Sequence, residues 1–490
     1  MDGVRLDIAP SLNQRSSWSH WKWILTGCAL VALHIGLGWL SRSFVDGRHW
    51  PEKPILILVG VELISGALYW FVVRGLPDAI ANERWLAWAC VVGVMMRAAM
   101  FISAPMIVDD YYRYLWDGAV TAHGVNPYTY APSQALAGGD NSGAVPLILN
   151  RLAKESGSVA SRINHPSVRS IYPPTAQAAF VLAHWISPWS LRAWRLVVLL
   201  LDAVTFGLIL VLLRELGLPL LWAVIYWWNP LFVKEIINSG HMDVVVLPFA
   251  LGSVLLTLRR RHEWALVSLV MAIGAKVWPI VLLPLVVRPL LDNPKRLLAA
   301  LGLFGLLLGI LLFPMYSAGL NESHGLIAYG RSWEMNDALF MLLVWMAKIA
   351  LSVSGQPPGY AQPVVRLLAA TVIAAWTILL ARQKSIDPKD FCERNLLIIA
   401  AVFLLSPAQF PWYYVWLLPW LAIRPRPSLL LLTALLPLYY LRFYFYAHNN
   451  VAISDYGIVW LEYVPVWSLL IREWYVGRVR HTNLPSGVIA

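Results

Sequence analysis

The sequence predicts an all-α fold, a multi-pass transmembrane helical bundle. Three observations carry this. Apolar residues make up 59% of the 490-residue chain, charged residues only 13%, and the mean hydropathy is +0.62. Soluble globular domains carry about 25% charged residues, so water cannot cover a surface built from this chain. The excess of apolar mass also excludes a disordered chain. Long apolar runs then recur at the length of about 20 residues that hydrocarbon demands of a helix.

Candidate spans lie near 23–41, 54–73, 85–104, 195–213, 219–233, 242–258, 264–287, 297–315, 337–354, 364–381, 427–446 and 456–471. Residues 174–187 are short for a span. Residues 395–421 are long and broken by Pro407 and Pro411. The expectation is 12 to 14 crossings. They form one bundle over 23–471, with a cytoplasmic N-terminal tail at 1–22 and a C-terminal tail at 472–490. No repeat, no separate soluble domain and no cleavable signal pattern is expected.

The net charge is +11. In a bundle of this kind, basic residues gather in short loops as topology signals facing anionic lipid, so nucleic acid is not an expected partner. Arg424, Arg426, Arg472, Arg478 and Arg480 agree on a cytoplasmic C-terminus. The run Arg259–Arg261 and the group Arg288, Lys295 and Arg296 flank the 264–287 span and conflict. Either a segment there is re-entrant or one basic loop faces out. Cys28, Cys90 and Cys392 form no pairing motif.

The long polar interruption at 105–173 is where function is expected, because most other connections are short. It opens with Val108-Asp109-Asp110-Tyr111-Tyr112-Arg113-Tyr114-Leu115-Trp116-Asp117. Helical spacing sets Asp110, Arg113, Tyr114 and Asp117 on one face. A carboxylate pair at a lipid boundary suits general-base work, since like charge and desolvation raise one of the two acids. The plain alternative is an interfacial helix whose acids cap its N-terminus. Gly124-Val125-Asn126-Pro127-Tyr128, then Asn164-His165-Pro166 and Ile171-Tyr172-Pro173-Pro174-Thr175, read as stiff turns leading into a helix start.

Further clusters sit at span ends. Trp228-Asn229-Pro230 leads to Glu235, Asn238, Gly240, His241 and Asp243. His241 and Asp243 can orient a hydroxyl or bind a cation, or simply cap a hairpin; their spacing alone is no metal signature. Lys276, inside an apolar run, needs an anion, a carbonyl or water beside it, and a lipid-linked phosphate is one such anion. Glu62, Arg97, Asp202 and Lys348 are intramembrane charges that can pair with one another. Tyr329, Arg331, Trp333 and Asn336 form a sixth cluster. Ser406–Tyr414 forms a seventh, where two prolines break the helix. Broken backbone at membrane depth is tolerated only against protein or a cavity, which makes Gln409, Trp412 and Tyr413 candidate liners of a lipid-headgroup or sugar pocket.

The order DDYYRYLWDG, GVNPY, NHP, YPPTAQAAF, WWNPL, SGHMD, AKVWP, YGRSWEMN and SPAQFPWYYVWLLP resembles the multi-pass GT-C glycosyltransferases. It is most similar to the bacterial polyprenol-phosphate-mannose-dependent branch, with the mannosyltransferases of mycobacterial lipids and the mannosyltransferase subunit of GPI assembly. The resemblance covers roughly residues 100–425; order and spacing carry it, not a single motif.

The resemblance implies a GT-C-like bundle whose long extracytoplasmic loop carries short interfacial helices and the catalytic acid. It implies transfer of a sugar, expected to be mannose, from a polyprenyl-phosphate donor to a lipid or glycan acceptor hydroxyl, with inversion. The site would face the extracytoplasmic side of a bacterial inner (plasma) membrane. The family's loop acid falls on Asp110, with Asp109 as its neighbour. Lys276, Arg113 and Arg331 are then candidates for the donor phosphate. Tyr114, Asp117, Tyr128, His165, Tyr172, His241, Asp243, Trp333, Asn336, Gln409, Trp412 and Tyr413 are candidates for substrate binding. No cofactor is required and no metal site is assigned, although a divalent metal is compatible. One departure is that the acidic loop follows the third span, where many GT-C enzymes have it after the first. Two extra N-terminal helices keep it on the same side. The competing class is a transporter or flippase for a lipid-linked or small polar solute. It accounts for the intramembrane charges and broken helices, but poorly for the aromatic-acidic loop.

Overall fold

The computed structural model describes residues 20–44, 50–76, 83–137, 145–319, 325–383 and 387–482. It is 80% helical, with one isolated parallel bridge, Met335 to Ala408, and no strand among the described residues. Its helices include α1 (His20–Leu40), α2 (Ile55–Arg74), α3 (Glu83–Phe101), α4 (Tyr111–Ala122), α5 (Pro132–Leu136), α6 (Leu147–Glu155), α7 (Pro174–Ile186) and α8 (Leu191–Glu215). After them come α9 (Val246–Leu258), α10 (His262–Ala275), α11 (Pro294–Ser317), α12 (Gly325–Ser332), α13 (Ala338–Val353), α14 (Ala361–Arg382), α15 (Pro388–Leu405), α16 (Pro427–Leu435), α17 (Leu441–Ala447) and α18 (Val459–Thr482). The last helix therefore runs through 472–482, residues the sequence reading assigned to a tail.

Among the described residues, six helices are long and apolar enough to cross a membrane: Trp21–Phe44, Ile55–Arg74, Leu191–Glu215, Pro294–Ser317, Pro358–Arg382 and Pro427–Ala447. A seventh arises if Pro230–Asn238 and Met242–Leu258, bent by 102°, are counted as one. Shorter apolar helices cover Trp85–Phe101, His262–Ala275, Trp278–Leu290 and Ala338–Val353. The 12 to 14 expected crossings thus compare with six uninterrupted helices and several broken or short ones. The chain is an all-α protein with the helices of an integral membrane protein.

The breaks have local causes. Asn229 accepts a hydrogen bond from the Phe232 amide at 2.9 Å, starting a new turn at Pro230. The turn widens into a π-helix over Val233–Asn238, and Gly240 then turns the chain in the left-handed region at φ +71°. The expected 264–287 span ends early, because Lys276 is extended and a tight helix restarts at Trp278-Pro279. Pro407 and Pro411 break the 395–421 stretch, as their spacing predicts, and the interruption pairs with Met335. Arg424 and Arg426, read as topology signals, both bond to buried Glu393.

The interior carries paired charge. Arg97 meets Asp202 at 2.5 Å, bonds the Trp227 carbonyl at 2.7 Å and lies over the Trp227 ring at 3.5 Å. Tyr226 donates to Asp202 at 2.8 Å. Two of the four intramembrane charges singled out above therefore do pair. The loop 105–173 has a small core of its own, where Trp116 and Val120 of α4 meet Ala135, Leu149, Leu152 and Ile163. The other face of α4 packs on α7, so closely that a Cβ on Gly118 would lie 2.5 Å from the Phe180 carbonyl oxygen.

Replacing Arg97 by alanine strands a buried carboxylate, at a cost of about 3–5 kcal/mol. Thermal unfolding in detergent should show a lowered midpoint, and Arg97→Met with Asp202→Leu should recover most of the loss.

Candidate active site

The entry to the loop is clamped. Arg195 of α8 donates to the carbonyls of Phe101 at 2.9 Å and Ser103 at 2.7 Å, and bonds the Asn238 carbonyl. The Asn238 side chain accepts from the Met106 amide at 3.1 Å and donates to Ser103 Oγ and the Ala104 carbonyl. These bonds satisfy the backbone that leaves α3 and fix it against the π-turn. Asp110 follows as the residue that opens α4, without a capping bond from its side chain.

Asp110 lines a mostly apolar cavity of about 240 Å³. Tyr114, Tyr172, Asp243, Lys276, Trp412 and Tyr413 share its wall, so the structure gathers these sequence candidates from five separate segments. Asp243 takes hydrogen bonds from Lys276 at 2.5 Å and from the Trp416 indole at 2.8 Å. The ammonium also lies 3.7 Å from the Tyr413 ring centroid. Trp278, Trp416 and Tyr413 stack in series, at 5.2 and 4.8 Å between centroids.

Asp109 lies beside the site, and its carboxylate accepts from Asn164. Burial and the neighbouring Asp109 charge push the Asp110 carboxyl up to about 7. Burial alone is the largest cause, so the loop acid is one that holds or releases a proton near neutrality.

The remaining candidates are elsewhere. Arg113 is engaged with Asp117 at 2.9 Å and with the Val168 carbonyl, while Asp117 also accepts from Ser170 at 2.5 Å. This pair braces α4 and is not on the cavity wall. Tyr128 is buried and donates to the Tyr172 carbonyl, and Gln409 is buried and holds the Leu404 and Ser406 carbonyls across the helix break. His165 packs edge-on against Trp333. His241 stacks flat on Trp412 at 4.1 Å, off the wall. The Arg331 side chain lies outside the described residues.

Asn336 belongs to a second cavity of about 260 Å³, with Glu334, Asp337, Trp345, Arg442 and Asp455. It donates to buried Glu462 at 2.7 Å. No group of three or more acidic, histidine or cysteine residues among the described ones is arranged to hold a metal ion.

Sequence reasoning missed Trp416 and Trp278 as wall residues. The signal was present in Pro411-Trp412-Tyr413-Tyr414-Val415-Trp416. After a proline the chain forms a 3₁₀ helix, in which residues i and i+3 eclipse, so Tyr413 and Trp416 share a face. Glu235 was noticed but given no role. No family model, no curated protein and no solved structure matches this chain.

Asp109→Asn removes a like charge beside Asp110, so its titration midpoint should fall below about 7. Infrared pH-difference spectra, with the band assigned by Asp110→Asn, measure this directly.

Proposed function

We propose that this protein is a membrane glycosyltransferase that moves a sugar from a polyprenyl-phosphate donor to an acceptor hydroxyl. The observation that carries the reading is a loop carboxyl raised to about 7 on the wall of the same small apolar cavity as an ion-paired lysine. A base and a cation facing one cavity match the two needs of the reaction. The acceptor oxygen must lose a proton as it attacks, and the departing phosphate must be met by positive charge.

In this reading Asp110 accepts the proton from the acceptor hydroxyl as that oxygen bonds to the anomeric carbon. The polyprenyl phosphate leaves from the opposite face, which inverts the centre. Lys276 is held by Asp243 and Trp416 where a leaving phosphate can reach its ammonium. Tyr114, Tyr172, Trp412 and Tyr413 offer ring faces and hydroxyls to a sugar. The cavity is slightly below the range of about 300–1,000 Å³ usual for ligand sites. That favours a single sugar phosphate over a large oligosaccharide donor. Mannose, from the sequence resemblance, is the sugar to try first, with the extracytoplasmic face of a bacterial inner membrane as the working location.

A transporter is the second reading, favoured by one observation. A span bent by 102° carries Lys234, Glu235 and His241, all fully buried. The two separate on product. In detergent, where no compartments exist, a transferase makes a new glycolipid from purified donor and acceptor, and a transporter makes nothing.

With polyprenyl-phosphate-mannose as donor, Asp110→Asn should lower kcat by about 10²–10⁴; near-normal turnover would remove Asp110 from the base role. The wild-type kcat/KM should rise with pH and level off above about 7, because only the ionised carboxylate accepts a proton. Lys276→Met should lower kcat about 10²-fold through loss of charge at the leaving phosphate, measured in single-turnover assays.

A further inference from the structure

His241 has no role at the cavity wall, yet its surroundings are unusual. It is fully buried, and neither ring nitrogen has a hydrogen-bond partner among the described residues. A buried imidazole ordinarily satisfies both its donor and its acceptor nitrogen. Here Nδ1 lies 3.8 Å from Oδ2 of Asp110, and Nε2 lies 3.5 Å from Oε2 of Glu235. That Glu235 oxygen is also buried without a partner. Three groups thus stand in series, carboxylate, imidazole, carboxylate, each slightly too far apart for a hydrogen bond. Catalytic hydrogen bonds are often long before substrate binds and shorten in the complex.

The imidazole is held in orientation from two sides. Its ring lies flat on Trp412, at 9° between planes. The preceding Gly240 is fixed by a 2.6 Å bond from the Trp194 indole to its carbonyl. Beyond the imidazole, Glu235 is not isolated. Its second oxygen accepts from Tyr440 at 2.5 Å and lies 3.2 Å from the Lys234 ammonium. Glu62, fully buried and with neither carboxylate oxygen hydrogen-bonded, is within electrostatic reach of Lys234.

We propose that Asp110, His241 and Glu235 form a proton relay that restores the Asp110 carboxylate during transfer. The proposal rests on Asp110 being the general base. The acceptor O–H gives its proton to Asp110 Oδ2 as the oxygen bonds to carbon. Asp110 passes that proton to His241 Nδ1, and the imidazole gives up its Nε2 proton to Glu235 Oε2. The imidazole ends neutral in its other tautomer, Glu235 ends protonated, and no charge is created or lost. His241 and Glu235 are positioning residues in this scheme, since neither touches the cavity.

The titration of Asp110 is set first by burial, then by Asp109, the Asn164 amide, Asp243 and Lys276, with Tyr114, Tyr172 and Tyr439 also facing it. Lys234 and Lys276 are the cations within electrostatic reach of buried His241. These groups are present in every variant below, so differences between variants report the relay.

The first experiment needs no substrate. Infrared pH-difference spectra are recorded on the full chain in detergent, with the Asp110 band assigned by Asp110→Asn. Glu235→Gln should move the Asp110 midpoint to lower pH by about half a unit. On a His241→Gln background the same change should have no effect, because the connecting group is gone. An equal shift with and without His241 would show plain charge–charge interaction and overturn the relay, as would no shift at all. Should His241→Gln fail to fold, Glu235→Asp takes its place. A shorter side chain that breaks contact with the ring should move the midpoint as Glu235→Gln does, and a wild-type midpoint would count against the relay.

The second experiment follows turnover with a short-chain polyprenyl-phosphate mannose and octyl mannoside. Glu235→Gln should lower kcat at least about tenfold with the donor KM unchanged. The rate in H2O/D2O mixtures should curve with deuterium content in the wild type and become linear in Glu235→Gln. Full turnover in Asp110→Asn would end the general-base reading. Loss of turnover in Asp110→Asn with wild-type kcat in Glu235→Gln would end the relay alone.

Discussion

The arrangement of this protein depends on the bonds that Arg195 and Asn238 make to the chain leaving α3. Two side chains collect the carbonyls of Phe101, Ser103 and Ala104 and the amide of Met106. Without water, each of those groups would otherwise stand unsatisfied at a cost of several kcal/mol. The clamp also joins three separate elements, the end of α3, the start of α8 and the π-turn over Val233–Asn238. Asp110 follows the clamped segment and His241 follows the clamped turn. Their separation of 3.8 Å is a consequence of that junction.

A second regularity follows from the same physics. Broken helices expose backbone groups, and inside hydrocarbon those groups need partners or a cavity. In this molecule the breaks at Gly240, Lys276 and Pro407–Pro411 converge. Lys276 and Asp243 meet across two of them, and Trp416 from the third completes the Asp243 hydrogen bonds. The polar site is thus assembled at helix interruptions, and long uninterrupted helices surround it. α11, for example, buries little beyond Ala300, Phe304 and Met315 and presents most of its surface outward.

Much of this was legible in the sequence, for reasons that differ by residue. The fold class followed from 13% charge and recurrent apolar runs. The break at Pro407 and Pro411 was readable because proline lacks an amide donor. The break at Lys276 had weaker signs, Gly274 just before it, Pro279 just after it and a conflict between flanking basic residues, none of which places an extended residue at 276. Asp110 stood out because two adjacent acids follow an apolar run. Arg113 and Asp117 share its helical register, yet register could not tell that they would pair with each other. His241 and Glu235 are six residues apart across a π-turn, a geometry that no helical or strand periodicity encodes.

The loop of residues 105–173 has its own apolar core around Trp116, Leu149 and Leu152. Elements that share such a core, here α4, α5 and α6, open as a cooperative unit. It is a poor candidate for a flexible flap that peels away residue by residue. Whatever reaches Asp110 therefore meets a wall that shifts as one piece with α4, not a loose flap.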